Sequence, residues 1–210
     1  MTHSLHRRGT AEDLHHDYVV IVKYSRQVML EGTQDRMRRT WEILSRYERD
    51  LENYGNHLPR WDGGPLYNMA ELKKMDSPII HAVFKDREKL KAFLHEMKEN
   101  QLGLSVVVSG LYDETRAICA DLGLKPHTVN QSLGVHGRTE LLPEEGVLEI
   151  HTLCGHAMVS PNLIRGMVKK INAGKITCRD AAKKLARTCD CVIFNPDRAE
   201  KLLARLTAKE

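Results

Sequence analysis

The side chains of this 210-residue chain with the most distinctive chemistry are its five cysteines, four of which lie beyond residue 153. These four are Cys154, Cys178, Cys189 and Cys191. A Cys-x-Cys pair such as Cys189 and Cys191 can direct two soft sulfur ligands at one point, and the sequence Cys154-Gly155-His156 offers a thiolate and an imidazole from one turn. The spacing therefore predicts a metal site with Cys154, Cys189 and Cys191 as thiolate ligands, holding zinc or an iron–sulfur cluster.

Histidines are the second source of chemistry, because imidazole can ligate a metal or move a proton near neutral pH. His136 lies among glycines at the end of a predicted strand, and His151 precedes the turn that contains Cys154 and His156. We expect the catalytic groups to be Cys154 and the three histidines His136, His151 and His156. Three thiolate ligands leave a fourth metal position open, where a small polar substrate, and above all an anion, would bind and be polarised. The first hypothesis is therefore a metal- or iron–sulfur-dependent enzyme of the lyase, isomerase or hydrolase type.

A second hypothesis is a metal-free cysteine isomerase or thiol enzyme, in which Cys154 is an acid, a base or a nucleophile. Residues 153–157 (LCGHA) resemble the cysteine turn of the diaminopimelate epimerase and proline racemase superfamily. In that superfamily a Cys-Gly-His or Cys-Gly-Asn turn opens a helix beside the substrate carboxylate. The resemblance implies a solvent-accessible Cys154 at a helix start. It covers five residues, and the second similar half that builds those proteins has no counterpart here.

The third hypothesis is a non-catalytic metal-binding module that assists assembly or presents a loop to a partner. Residues 55–65 (GNHLPRWDGGP) supply such a loop, because two prolines and three glycines prevent regular structure. We expect Arg60 and Trp61 within this loop to cover a pocket or to contact a partner.

Two other places in the sequence suit an anion or a cofactor. Ser109 and Gly110 end an apolar strand just before a predicted helix, where an α/β sheet commonly contacts a cofactor or an anion. The basic sequence His6-Arg7-Arg8 near the N-terminus can hold an anionic group.

Composition and charge argue against several classes of protein. Hydrophobic residues are 41% and charged residues 29%, as in ordinary globular proteins. A net charge of +4, with both signs interleaved, gives no clear indication of nucleic-acid binding, since that needs a concentrated basic face. The sequence predicts neither a membrane span nor a secretory leader. With an odd number of cysteines, we expect a reduced, cytoplasmic protein that acts on a small molecule, and a homo-oligomer stays open.

The elements that must position these residues follow from the hydrophobic pattern. It predicts strands at residues 17–24, 78–84, 104–109, 127–134 and 147–152. It predicts helices at residues 34–54, 86–100, 113–122, 161–171, 177–187 and 197–206. The alternation indicates an α/β fold, a three-layer-like sandwich with a mixed or largely parallel sheet. Residues 1–152, with the loop at 55–65, would form this domain, and residues 153–210 would form a small helical lobe that carries the cysteines and packs on it.

Overall fold

The computed structural model describes residues 4–24, 31–56 and 67–208. The predicted loop therefore lies outside the described residues, with Arg60 and Trp61, except for Gly55 and Asn56. The β-strands are β1 (Tyr18–Lys23), β2 (Leu51–Gly55), β3 (Ile79–Phe84) and β4 (Ser105–Ser109). The α-helices are α1 (Ala11–Leu14), α2 (Thr33–Ser45), α3 (Met69–Leu72), α4 (Arg87–Asn100), α5 (Tyr112–Asp121), α6 (Glu145–His151), α7 (Pro161–Asn172), α8 (Cys178–Ala186) and α9 (Pro196–Thr207). Among the described residues, no helix is long and apolar enough to cross a membrane.

The strands form one antiparallel sheet in the order β2-β3-β1-β4. Helix α2 connects β1 to β2 and α4 connects β3 to β4, and neither pair of strands is adjacent in the sheet. This is the split β-α-β arrangement. The predicted three-layer sandwich with a mixed or largely parallel sheet is therefore wrong. Alternating helices and strands fit both topologies, because a helix can also cross over to a strand that is not a neighbour.

Three predicted elements differ from the structure. Residues 147–152 were expected to form a strand but belong to helix α6, where Val147, Leu148 and Ile150 are buried. Residues 127–134 are exposed and contain no strand. The predicted helix at 34–54 is shorter in the structure, because α2 ends at Ser45. A 3-10 helix follows at Glu48–Asp50, and β2 begins at Leu51. The other predicted strands and helices are confirmed with small shifts at their ends.

Each face of the sheet is covered by a different set of helices. On one face, Tyr18, Val20 and Val22 of β1 pack in a core cluster with residues of α2 and α4, including the fully buried Trp41 and Phe93. Burying side chains of this size contributes about 1.5–3 kcal/mol each. The indole N–H of Trp41 donates a hydrogen bond to the hydroxyl of Ser77, at 3.0 Å, so its polar atom is satisfied.

The opposite face of the sheet carries α6 to α9, which we call the helical lobe. Val19, Ile21 and Val83 point into a second core cluster that consists mostly of residues of this lobe. Period-two alternation along β1 explains how one strand serves both clusters, since successive side chains point to opposite faces. Cys154, Cys189 and Cys191 are buried members of this second cluster. The cysteines are therefore held at the interface between the sheet and the helical lobe.

Candidate functional site

Two turns of the helical lobe carry the cysteines that the sequence singles out. Cys154 lies in the turn at residues 152–160, between α6 and α7, and Cys189 and Cys191 lie in the turn at residues 187–195, between α8 and α9. All three side chains are buried, with exposed fractions of 2%, 1% and 1%. The turn of Cys154 therefore joins two helices, and not the strand and helix that the sequence predicted.

The buried position of Cys154 bears on the isomerase hypothesis. The resemblance to the epimerase and racemase turn implies an accessible thiol at the start of a helix, but helix α7 begins only at Pro161 and Cys154 is buried. An accessible acid or base at Cys154 is therefore not what the fold provides.

The sulfur atoms of the two turns contact one another. The Sγ atoms of Cys189 and Cys191 are 3.8 Å apart, and a hydrogen bond links the thiols of Cys154 and Cys189. The Nδ1 atom of His156 lies 3.3 Å from the Sγ atom of Cys191. We call these four residues the thiol cluster. The three thiols that the sequence proposed as metal ligands are thus brought together, with one of the proposed catalytic histidines beside them.

Backbone amides point at all three sulfurs. The amides of His156 and Met158 donate to the sulfur of Cys154, which lies in the same turn. The amide of Phe194 donates to the sulfur of Cys189, and that of Ile193 donates to the sulfur of Cys191. Both turns thus contribute amide donors. Hydrogen bonds to a sulfur favour its charged form, so these amides act against the burial that raises the pKa of a thiol.

The pKa values of the three thiols are pushed in different directions. The hydrogen bond to Cys189, together with burial, raises the pKa of Cys154 well above its ordinary value. The hydrogen bond from Cys154 lowers the pKa of Cys189, but its own bond to Cys191 and its burial outweigh this effect and raise the pKa to about 11. The hydrogen bond from Cys189 lowers the pKa of Cys191, although burial opposes it. Of the three thiols, Cys191 therefore loses its proton at the lowest pH.

Unusual backbone conformations shape the two turns. Ala157 has a φ of 58° and Val192 a φ of 51°, both in the left-handed region. A β-branched residue such as Val192 rarely adopts this region, and such residues concentrate at functional sites, where the surrounding structure holds them. The sheet contributes to holding Val192, because a Cβ atom at Gly55 of β2 would approach its Cγ2 atom to 2.6 Å. Gly55 therefore makes room for the residue that follows Cys191.

A buried ionic network lies behind the thiol cluster. The carboxylate of Asp17, just before β1, forms ion pairs with Arg7 and with Arg198 of α9, the latter at 2.8 Å. The side-chain amide of Asn195 donates to the same carboxylate at 3.1 Å. Burial by itself would raise the pKa of Asp17, but the two guanidinium groups outweigh it and hold the pKa below its ordinary value. A charged Asp17 thus ties the N-terminal segment to β1 and α9.

Arg7 extends this network to both cysteine turns. Its guanidinium donates to the backbone carbonyl of Leu153, at 3.3 Å, and also to that of Ile193. Leu153 directly precedes Cys154, and Ile193 follows Cys191 by two positions. One buried side chain therefore fixes the separation of the two turns. The sequence indicated an anion at His6-Arg7-Arg8, and the structure places the carboxylate of Asp17 on Arg7.

The other two predicted histidines, His136 and His151, form no hydrogen bond with the thiols within the described residues. His151 lies in the last turn of α6, and its Nδ1 atom is 2.8 Å from the carbonyl oxygen of Val159. This contact joins the two ends of the turn that contains Cys154. His136 is exposed, and its Nε2 atom is 3.0 Å from the carbonyl oxygen of Leu133 in the same segment.

Ser109 and Gly110, the predicted cofactor contacts, have packing partners within the protein. The Ser4 hydroxyl donates to the Ser109 hydroxyl at 2.6 Å. A Cβ atom at Gly110 would lie 2.7 Å from the ring of Tyr18, so the absence of a side chain lets this ring pack there. These contacts join the end of β4 to the N-terminal segment and to β1.

The thiol cluster is arranged as a chain of contacts. Within the described ranges 4–24, 31–56 and 67–208, no group of three or more His, Cys, Asp or Glu side chains surrounds a point that could hold a metal ion. A cavity of about 190 Å³ lies elsewhere, beside α1 and α9. It is lined by Glu12, Asp13, His16, Asp197, Arg198 and Lys201, and therefore by no cysteine.

Sequence reasoning found the thiols but missed what positions them. Asp17 is far from Asn195 and Arg198 in the sequence, so no local spacing relates it to them or to the cysteines. The Asn195-Pro196 pair was the one available signal, because an Asn before a proline is typical of a helix start. Asn195 does cap α9, since its side chain accepts a hydrogen bond from the amide of Arg198 at 3.0 Å.

Comparison with known proteins identifies no relative of this chain. Protein-family models, curated proteins and solved structures gave no match. The functional argument therefore depends on the geometry of this chain.

Proposed function

We propose that the thiol cluster is a metal-binding centre, in which the sulfurs of Cys154, Cys189 and Cys191 and the imidazole of His156 ligate one ion of the zinc type. The observation that carries this proposal is the convergence of three buried sulfurs, each of which accepts at least one backbone amide. Amide donors favour thiolates, and thiolates with an imidazole are the ligands that zinc and other borderline ions prefer.

The separations within the cluster support tetrahedral coordination. Metal–sulfur bonds of about 2.3 Å place two sulfurs on one tetrahedral ion about 3.8 Å apart. The sulfurs of Cys189 and Cys191 are 3.8 Å apart. A sulfur and an imidazole nitrogen on such an ion would be about 3.6 Å apart. The corresponding distance from Cys191 to His156 is 3.3 Å. The donors do not surround a common point in this structure, so binding requires the turn of Cys154 to move toward that point.

Four protein donors would complete a tetrahedral shell, which is typical of structural zinc sites. Such a centre would join the turn between α6 and α7 to the turn between α8 and α9, and would stabilise the helical lobe. His156 is exposed whereas the sulfurs are buried, so it is the ligand that a substrate could replace. The predicted enzyme, with an open metal position, stays a prediction that depends on this replacement.

Metal binding at this cluster would be coupled to proton release. The raised pKa values of Cys154 and Cys189 mean that both thiols are protonated near neutral pH, and a metal must displace those protons. We therefore expect the affinity for zinc to increase as the pH rises.

The test is metal binding by protein purified without oxygen. We expect elemental analysis to find stoichiometric zinc or another transition metal, and cobalt(II) substitution to produce the intense absorption of thiolate ligands. Cys189→Ser should lose most of this absorption because it removes the central thiol. Cys119→Ser is the matched control, because Cys119 is half-buried in α5, away from the cluster. Absence of bound metal, with identical cobalt spectra from both variants, would rule the centre out.

A second candidate function is a metal-free dithiol, favoured by the lowered pKa of Cys191 beside Cys189. The thiolate of Cys191 would attack a small disulfide, forming a mixed disulfide and releasing one thiolate. Cys189 would lose its proton and attack the sulfur of Cys191, which releases the second thiolate and leaves a Cys189–Cys191 disulfide. Mass spectrometry of metal-free protein treated with oxidised glutathione would show loss of two hydrogens, and Cys191→Ser would prevent it.

A further inference from the structure

The helical lobe concentrates positive charge in one segment, residues 161–187, which we call the basic hairpin. It consists of α7, a short turn and α8, and the two helices pack against each other. The hairpin contains eight basic residues and one acidic residue, a net charge of +7, while the whole chain has a net charge of +4. The rest of the chain is therefore net negative. The small net charge of the whole chain therefore does not reflect this concentrated basic segment, and such a segment is what phosphate binding requires.

Most of these cations are exposed and lack an acidic partner. In the part of the chain that the structure describes, six of them form no ion pair: Lys169, Lys170, Lys175, Lys183, Lys184 and Arg187. The other two are paired, Arg165 with Glu144 at 2.6 Å and Arg179 with Glu200 at 3.6 Å. The outer surface of the hairpin is thus a field of uncompensated positive charge.

The arrangement along α8 is unfavourable for an isolated helix. Arg179, Lys183 and Arg187 follow one another at four-residue spacing, so like charges face each other on one side of the helix. Lys183 and Lys184 in the last turn are favourable for the helix dipole, but this effect does not extend to Arg179 at the first turn. A bound polyanion would relieve the repulsion.

We propose that the basic hairpin binds the phosphate backbone of duplex DNA. This inference does not depend on the metal centre. Phosphates are matched by clustered, exposed Lys and Arg side chains, and each phosphate that they neutralise releases counterions. A single helix fits the major groove of B-form DNA, which is about 12 Å wide.

The composition of the hairpin favours this partner over other polyanions. It contains no Phe, Trp, Tyr or His, so it lacks the stacking platform that single-stranded nucleic acids use. Its apolar residues, including Ile164, Met167 and Leu185, are buried against the lobe, so no apolar face is left to enter a membrane. The major groove of A-form RNA is too narrow to admit a helix.

Gly166 supplies an independent observation. It lies inside α7, where glycine is unfavourable, and a Cβ atom there would meet no atom within 4 Å. Internal packing therefore gives no reason for a glycine at this position. Close approach of a ligand to the helix backbone would give such a reason, because Gly166 lies between Arg165 and Lys169 on the hairpin.

The experiment is fluorescence polarisation with a short mixed-sequence DNA duplex. We expect binding that weakens by up to about 10³-fold between 50 and 200 mM salt if six cations reach phosphates. Reversing the charge with Lys183→Glu and Lys184→Glu together should weaken it at least about tenfold. The matched control is Lys73→Glu with Lys74→Glu, an exposed pair after α3 that changes the net charge equally. Gly166→Leu should also weaken binding, although it leaves the charge unchanged.

Several results would overturn the proposal. Equal losses in the two double variants would show that net charge, and not the hairpin, determines binding. Equal or tighter binding of an RNA duplex would reject the assignment to DNA, as would binding of phosphatidylserine vesicles without binding of the duplex. Thermal melts of all variants establish that a lost signal is not lost folding.

Discussion

On one face of the sheet, side chains of β1 pack against α2 and α4 in a hydrocarbon core, whereas on the other they pack against a lobe that contains thiols and buried charges. The first face includes aromatic rings such as Phe84 and Phe93, whose centroids are 5.5 Å apart. The second contains the thiol cluster and the network around Asp17. The two faces of one strand thus pack against cores of different chemistry.

The largest effect is expected from Asp17→Asn, which leaves Arg7 and Arg198 buried without their counter-charge. Removing one partner of a buried ion pair costs about 3–5 kcal/mol. Phe93→Ala on the opposite face should cost a similar 3–5 kcal/mol by leaving a cavity. Urea unfolding would measure both losses. Cobalt spectra of the folded variants should differ from the parent only for Asp17→Asn, and an equal spectral change in Phe93→Ala would break the distinction between the faces.

The same carboxylate predicts how stability depends on pH. Because the pKa of Asp17 is lower in the folded protein than its unfolded value of about 3.9, its contribution is present above that value. The contribution is lost as the pH falls through the lower, folded pKa. The parent should therefore lose stability in acid more steeply than Asp17→Asn, as seen by urea unfolding at a series of pH values. Parallel curves would mean that Asp17 is not held ionised by the arginines.

A smaller effect is expected from Arg7→Lys, which keeps the charge beside Asp17. It replaces the two guanidinium nitrogens, one on the carboxylate and one on the carbonyls of Leu153 and Ile193, by a single nitrogen. We expect little loss of stability but about 10–100-fold weaker zinc binding, as for other residues that position metal ligands. Competition with a chelating dye would measure it. Arg8→Lys is the control, because Arg8 forms a partly exposed pair with Glu145. Equal zinc affinities of the two variants would show that Arg7 does not position the metal ligands.

Local signals in the sequence predicted much of this fold, but not how its parts come together. The run of β-branched residues in β1 and the Thr177 cap of α8 were sufficient to place those elements. Strand direction was not predictable, because it depends on which strands pair. Residues 147–152 were misassigned because a short apolar run is compatible with either a strand or a helix, and packing within the lobe selected the helix.

For the site, the sequence predicted the thiols because Cys-x-Cys and Cys-x-His are local patterns. It also included His156 among the reactive groups. The role of Arg7 could not be predicted, since it depends on contacts with residues more than a hundred positions away. Burial of Cys154 was likewise set by tertiary packing and not by its turn.

The most direct test of the central claim is X-ray absorption at the zinc edge of protein reconstituted with one equivalent of zinc. Coordination by Cys154, Cys189, Cys191 and His156 predicts three sulfur neighbours at about 2.3 Å and one nitrogen neighbour at about 2.0 Å. His156→Ala should replace the nitrogen while keeping the three sulfurs. A shell of oxygen and nitrogen atoms alone, or a shell unchanged by Cys189→Ser, would contradict a metal centre at the thiol cluster.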